Sequence, residues 1–101
     1  MKADLRRFYV VSYDIPDDRR RTKIAKVLLG YGDRIQYSVF IVIARPASLQ
    51  RLRAKLKQKI IAAEDSIAIF DLGPFNEADP EKQLTYLGRS RETTATDIIV
   101  I

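Results

Sequence analysis

Asp14 is the residue of this chain best placed to do chemistry. It follows the apolar run Phe8 to Tyr13, and Pro16 then turns the chain directly into Arg19, Arg20 and Arg21. A carboxylate with cations close behind it suits a hard divalent cation and a phosphate. Mg²⁺ takes one or two carboxylates and leaves the rest of its octahedron to water and phosphate oxygens. The chain has no histidine and no cysteine. That removes ordinary zinc sites, thiol nucleophiles and imidazole acid–base catalysis. Any hydrolysis must therefore rest on carboxylates, a hard cation, Tyr, Ser or Lys.

A net charge of +5 and a pI near 9.7 favour an anionic partner. Nucleic acid is the commonest one for a basic domain, although a solvated basic surface gives the same excess. No apolar run approaches the ~20 residues of a membrane span, and no signal pattern opens the sequence, so no membrane partner is expected. Without cysteine there are no disulfides, and a cytoplasmic location follows as the default. At 101 residues the chain reads as one domain, with a core over 8–72 and an extension over 73–101.

These residues need elements to hold them. Phe8 to Tyr13 is apolar on both parities apart from Ser12, the mark of a central strand covered on both sides. Asp17 is placed to cap a helix running from about Asp18 to Tyr31, with Ile24, Val27, Leu28 and Tyr31 on one stripe and Gly32 as its stop. From Ile35 to Ile43, alternate residues are apolar. The run is long for one strand, so a turn near Tyr37-Ser38 is predicted to divide it into an antiparallel pair. Pro46 opens a second helix, with Leu49, Leu52, Leu56 and Ile60 inward and Arg51, Arg53, Lys55, Lys57 and Lys59 on its other faces. Ser66 to Leu72 is a further strand, Leu84 to Leu87 a brief one, and Asp97 to Ile101 an apolar run suited to joining a sheet.

The order β-α-β-β-α-β predicts an α+β, ferredoxin-like sandwich, with an extra C-terminal strand. Its helices cover one sheet face. The other apolar face then calls for a cover, and self-association into a homodimer through sheet faces supplies it.

Tyr13-Asp14-Ile15, the following Asp17-Asp18-x-x-Arg21-x-Lys23, and Gly32-x-Arg34-x-Gln36-Tyr37-Ser38-Val39-Phe40 together resemble the second CRISPR-associated (Cas) protein family. The resemblance spans 8–72. It implies a small ferredoxin-like homodimer that takes part in spacer acquisition, bridges subunits of a partner CRISPR integrase and holds duplex DNA. It also implies a metal-dependent endonuclease acting on single-stranded RNA or duplex DNA with Mg²⁺ or Mn²⁺. By the same resemblance Asp14 is the metal ligand and catalytic residue, facing its counterpart across the dimer axis. Arg21, Lys23, Arg34, Ser38 and Phe40 fall on the family's other motif positions. Lys23 stands where arginine is often found, giving a point charge in place of a fork.

Each of these residues also has a plainer reading. Asp14 before Pro16 starts a turn well without any metal. Arg19, Arg20 and Arg21 lie where the helix dipole already disfavours cations, which points to phosphate contact, yet a solvated basic face accounts for them too. Arg34 reaches phosphate or makes a surface ion pair, Phe40 stacks or packs, and Ser38 orients phosphate or marks a bend. Tyr13 points to the face opposite Asp14, with its role open. Three functions remain: a metal-dependent nuclease, a structural DNA-bridging adaptor that does not cut, and a toxin-like ribonuclease of the same fold.

Overall fold

In the computed structural model, which describes residues 4–78 and 80–89, the order is strand, helix, two strands, helix, strand and a short helix. The strands are β1 (Arg7–Asp14), β2 (Asp33–Gln36), β3 (Val39–Ala44) and β4 (Ser66–Pro74). The helices are α1 (Asp18–Leu29), α2 (Pro46–Lys57) and α3 (Pro80–Gln83). All strand pairs are antiparallel in the order β2-β3-β1-β4, so β1 and β3 are the central strands of a ferredoxin-like sheet.

Local chemistry explains the elements. The Asp17 carboxylate accepts from the Arg20 amide at 2.9 Å, an N-cap that satisfies one of the helix's free donors. Helix α1 ends at Leu29, short of Tyr31, with Gly30 as its C-cap. Gly32 then accepts a tight passage: a Cβ there would lie 2.0 Å from the Ile41 carbonyl oxygen. Residues 37 and 38 form the turn between β2 and β3, where the length of the run predicts it. Helix α2 starts on Pro46 and ends at Lys57, leaving Ile60 to pack against the core from the following loop.

Two apolar layers lie on opposite sides of the sheet. On the helical side, Tyr9, Val11 and Tyr13 of β1 pack with Phe40 and Val42 of β3 under Ile24, Leu28, Leu52 and Leu56. On the far side Phe8, Ile35, Ile41 and Ile43 are buried, with Val10 and Val39 beside them. The segment after β4 covers this layer with Phe75, Ala78, Leu84 and Tyr86, and the Tyr86 hydroxyl donates to the Ile35 carbonyl at 3.2 Å. The expectation that the far face lacks any cover from its own chain is therefore corrected. What stays open lies over β4, where Phe70 and Leu72 are 52% and 46% exposed.

Residues 84–86 form this cover without strand pairing, so the brief strand expected at Leu84 to Leu87 is absent. Their apolar side chains recur because they reach down to a sheet and not because they alternate within one. The run Asp97 to Ile101 lies outside the described residues. No helix among the described residues is long and apolar enough to cross a membrane.

Candidate functional site

Strand alternation separates the chemistry into two places. Tyr13 is buried on the helical side, while Asp14 shares its parity with Phe8 and Val10 of the far layer. Asp14 is exposed, opposite Ser66 of β4, and makes no side-chain hydrogen bond or ion pair among the described residues. A carboxylate at the end of a rigid central strand, with all its acceptor sites free, can bind a cation or orient water. No group of three or more His, Cys, Asp or Glu side chains gathers among the described residues. The Asp14 carboxylate fits Mg²⁺ or Mn²⁺ as a partly hydrated ion but does not by itself enclose it.

The arginines are not grouped around Asp14. Arg19 is exposed at the start of α1, as is Lys23 one turn later. Arg20 is committed to the fold. Its Nε lies 2.8 Å from one oxygen of Asp65 and an NH₂ nitrogen 3.0 Å from the other, with Glu64 also 2.8 Å away. This fork ties the first turn of α1 to the loop before β4. The Asp65 side chain is fully buried and also accepts from the Ile61 amide. The guanidinium beside it is the chief cause holding its carboxyl below the usual aspartate range.

Arg21 braces the exit of β1. It donates to the Ile15 carbonyl at 2.8 Å and to the Tyr37 hydroxyl at 3.0 Å, and it pairs with Asp18. Tyr13 completes the brace: its amide donates to the Ser38 carbonyl at 3.1 Å and its hydroxyl to the Tyr37 carbonyl at 3.2 Å. The two neighbours of Asp14 are thereby tied to the β2–β3 turn, Tyr13 directly and Ile15 through Arg21. Ser38 takes part through its backbone.

Arg34 lies on the helical side with its guanidinium 5.0 Å from the centre of the Phe40 ring, and it reaches the Tyr13 hydroxyl at 3.4 Å. Phe40 is fully buried and packs on Tyr13 with ring centroids 6.3 Å apart. Packing thus accounts for Phe40 in this chain. Alternation separated Tyr13 from Asp14, but it grouped Tyr37 with Ile35 and Val39 of the far layer, whereas the turn sets Tyr37 beside Arg21 and Tyr13. Arg20's partners stand 44 and 45 residues away and carry no local signal. Tyr37 could have been singled out as an aromatic residue in a turn, where burial does not require one.

Residues 7–77 match the family model for CRISPR associated protein Cas2. A CRISPR-associated endoribonuclease Cas2 from a Synechocystis strain is 45% identical over 64 residues, covering 63% of this chain and 70% of that protein. Its counterpart from a Thermus thermophilus strain is 42% identical over 67 residues, 66% of this chain and 71% of that one. Among solved structures, a hypothetical protein from Thermus thermophilus superposes with a TM-score of 0.73 at 34% identity, over 85% of this chain and 95% of that chain. Streptococcus pyogenes Cas2 at pH 6.5 gives 0.70 at 29% identity, over 80% and 99%.

Proposed function

Because the chain belongs to the CRISPR-associated Cas2 family, we propose that it is a metal-dependent endonuclease and adaptation protein working as a cytoplasmic homodimer. One observation supports this reading above the others. Asp14 stands exposed and unpaired at the end of a braced central strand, on the side of the sheet left partly open. A second copy seated against Phe70 and Leu72 would remove apolar surface from water and bring the far faces of two sheets together. Asp14 from each copy would then hold Mg²⁺ or Mn²⁺. When bound, such an ion supplies an activated water and charge stabilisation at the phosphate.

The chain's own residues do the rest. The Tyr13 and Arg21 hydrogen bonds keep the carboxylate-bearing backbone from shifting, so little reorganisation is needed as charge develops. Arg19 and Lys23, which have no ion-pair partner among the described residues, are the phosphate contacts at the start of α1. Arg20 and Arg21 serve those contacts indirectly, by fixing the helix. The exposed cations of α2 extend the basic surface along a nucleic-acid backbone, with positioning and not base readout as their role.

The names of the relatives favour RNA as substrate, since several are called endoribonucleases. Another relative is called an endonuclease. The structural-adaptor reading is favoured by one feature of the site, namely that no group of three or more His, Cys, Asp or Glu side chains gathers among the described residues. Bridging a partner integrase is proposed for the same dimer and is separable from cleavage. Co-expression with a CRISPR integrase, followed by size-exclusion chromatography, tests it. Co-elution of wild type and of Asp14→Asn supports a bridging role, and elution of both apart from the integrase contradicts it.

A further inference from the structure

Asp14 has a polar neighbour on its own face of the sheet. In the β1–β4 ladder it lies directly opposite Ser66, and the next pairs along that face are Ser12 with Ala68 and Val10 with Phe70. Residues directly opposite in an antiparallel pair carry their Cβ atoms about 4.5–5.5 Å apart, close enough for their side chains to share a ligand. Asp14 and Ser66 are both exposed, one closing β1 and the other opening β4. The side chains beside them, Ser12 and Ala68, are small, and bulky apolar surface begins only at Phe70. The carboxylate thus borders a floor of two hydroxyls and a methyl group, where no large side chain displaces the water that a hard cation keeps.

Ser66 is also held in place. The residue before it, Asp65, has a fully buried side chain that accepts from the Ile61 amide at 2.8 Å and from the Arg20 guanidinium at 2.8 and 3.0 Å. Arg20 belongs to the first turn of α1, the helix that Pro16 leads into after Asp14. One fork therefore joins the two segments that carry Asp14 and Ser66. The fold makes no use of the Ser66 hydroxyl, which has no hydrogen bond among the described residues. Its one donor and two acceptor sites all remain for a ligand or for water.

We propose that the Ser66 hydroxyl is the second oxygen of the Asp14 site, accepting from the hydration water of the divalent cation that Asp14 holds. The inference rests on the metal reading of Asp14 and adds to it a residue from another strand. Ser66 is a positioning residue, since it acts on the ion through water. Groups that hold the outer shell of a metal site in this way change its affinity by about 10–100-fold.

Mn²⁺ binding to the whole chain tests this without a cleavage assay, with the EPR signal of free Mn²⁺ followed during titration. Wild type, Ser66→Ala, Ser66→Thr and Asp14→Asn are compared, and thermal melts show that each is folded. We expect Ser66→Ala to weaken Mn²⁺ binding about tenfold. Ser66→Thr keeps the hydroxyl and should bind as wild type does, while Asp14→Asn should weaken binding at least as much as Ser66→Ala. Wild-type affinity in Ser66→Ala, with Asp14→Asn weakened, would overturn the role of Ser66 and leave the metal reading of Asp14 standing. Equal losses in Ser66→Thr and Ser66→Ala would overturn it too, because the hydroxyl would not be what the ion's water meets. Wild-type affinity in Asp14→Asn would overturn the metal reading and this inference with it.

Discussion

Tyr13 and Asp14 are neighbours on β1 yet serve opposite sides of the sheet, Tyr13 locked into the β2–β3 turn and Asp14 free at the surface. The buried residue fixes the backbone and the exposed one is left to act. Arg21 reinforces this from the residue after Asp14, through the Ile15 carbonyl. Arg21, a phosphate ligand by position, thus braces the strand end, while Arg19 and Lys23 on the same helix keep no ion-pair partner among the described residues.

Arg19 and Lys23 should therefore differ from Arg20 in binding assays. Replacing Arg19 or Lys23 by Ala should lower duplex affinity and reduce the slope of log K against log salt by about 0.9 each. Arg20→Ala should leave that slope unchanged while lowering the melting temperature by at least about 5 °C. Fluorescence anisotropy across 50 to 200 mM salt, paired with thermal melts, checks both; those limits span the range over which about 6–10 phosphate contacts lose 10³–10⁵ in affinity.

The Arg20–Asp65 fork also gives stability a pH dependence. The Asp65 carboxyl is lowered from its ordinary value of 3.8 in the folded state. Unfolding then favours proton uptake, so the contribution is fully present above pH ~4 and is lost as acid approaches the depressed folded value. Asp65→Asn should be less stable at pH 7 and should show a flatter decline below pH 4, measured by urea denaturation at each pH.

Gly32 is a packing requirement. A Cβ at this position would meet the Ile41 oxygen at 2.0 Å and the Val42 Cγ2 at 2.8 Å. Gly32→Ala forces α1's exit away from β3 and should cost about 1–3 kcal/mol or more in equilibrium urea unfolding.

Self-association should depend on the open part of the far face. Phe70→Glu places a charge where β4 is exposed and apolar, and sedimentation velocity at micromolar protein should then show monomer. Leu87→Glu, on a side chain that is 94% exposed and outside the sheet, should leave the wild-type state intact.

Much of this was legible in the sequence. Alternation in Ile35 to Ile43 revealed β2 and β3, and Asp17, following Pro16 and ahead of the stripe from Ile24 to Tyr31, revealed the cap of α1. The two-sided apolarity of Phe8 to Tyr13 identified a central strand. What escaped has no periodic signal. The cover formed by Phe75, Ala78, Leu84 and Tyr86 is irregular chain that packs by shape. The partners of Arg20 are set by tertiary approach, and a free arginine and a forked one look alike in a sequence. Asp14 stood out as a candidate because a carboxylate closes an apolar strand just ahead of a run of arginines.

Asp14 is proposed to act in cleavage and not merely to start a turn. The most direct measurement is single-turnover cleavage of single-stranded RNA and of duplex DNA in Mg²⁺ or Mn²⁺, comparing wild type with Asp14→Asn. The substitution keeps the side chain's shape and, because Asp14 has no partner among the described residues, should leave melting unchanged. We expect metal-dependent cleavage by wild type and a rate at least about 100-fold lower for Asp14→Asn, with nucleic-acid affinity retained. Equal rates for the two proteins would contradict the account.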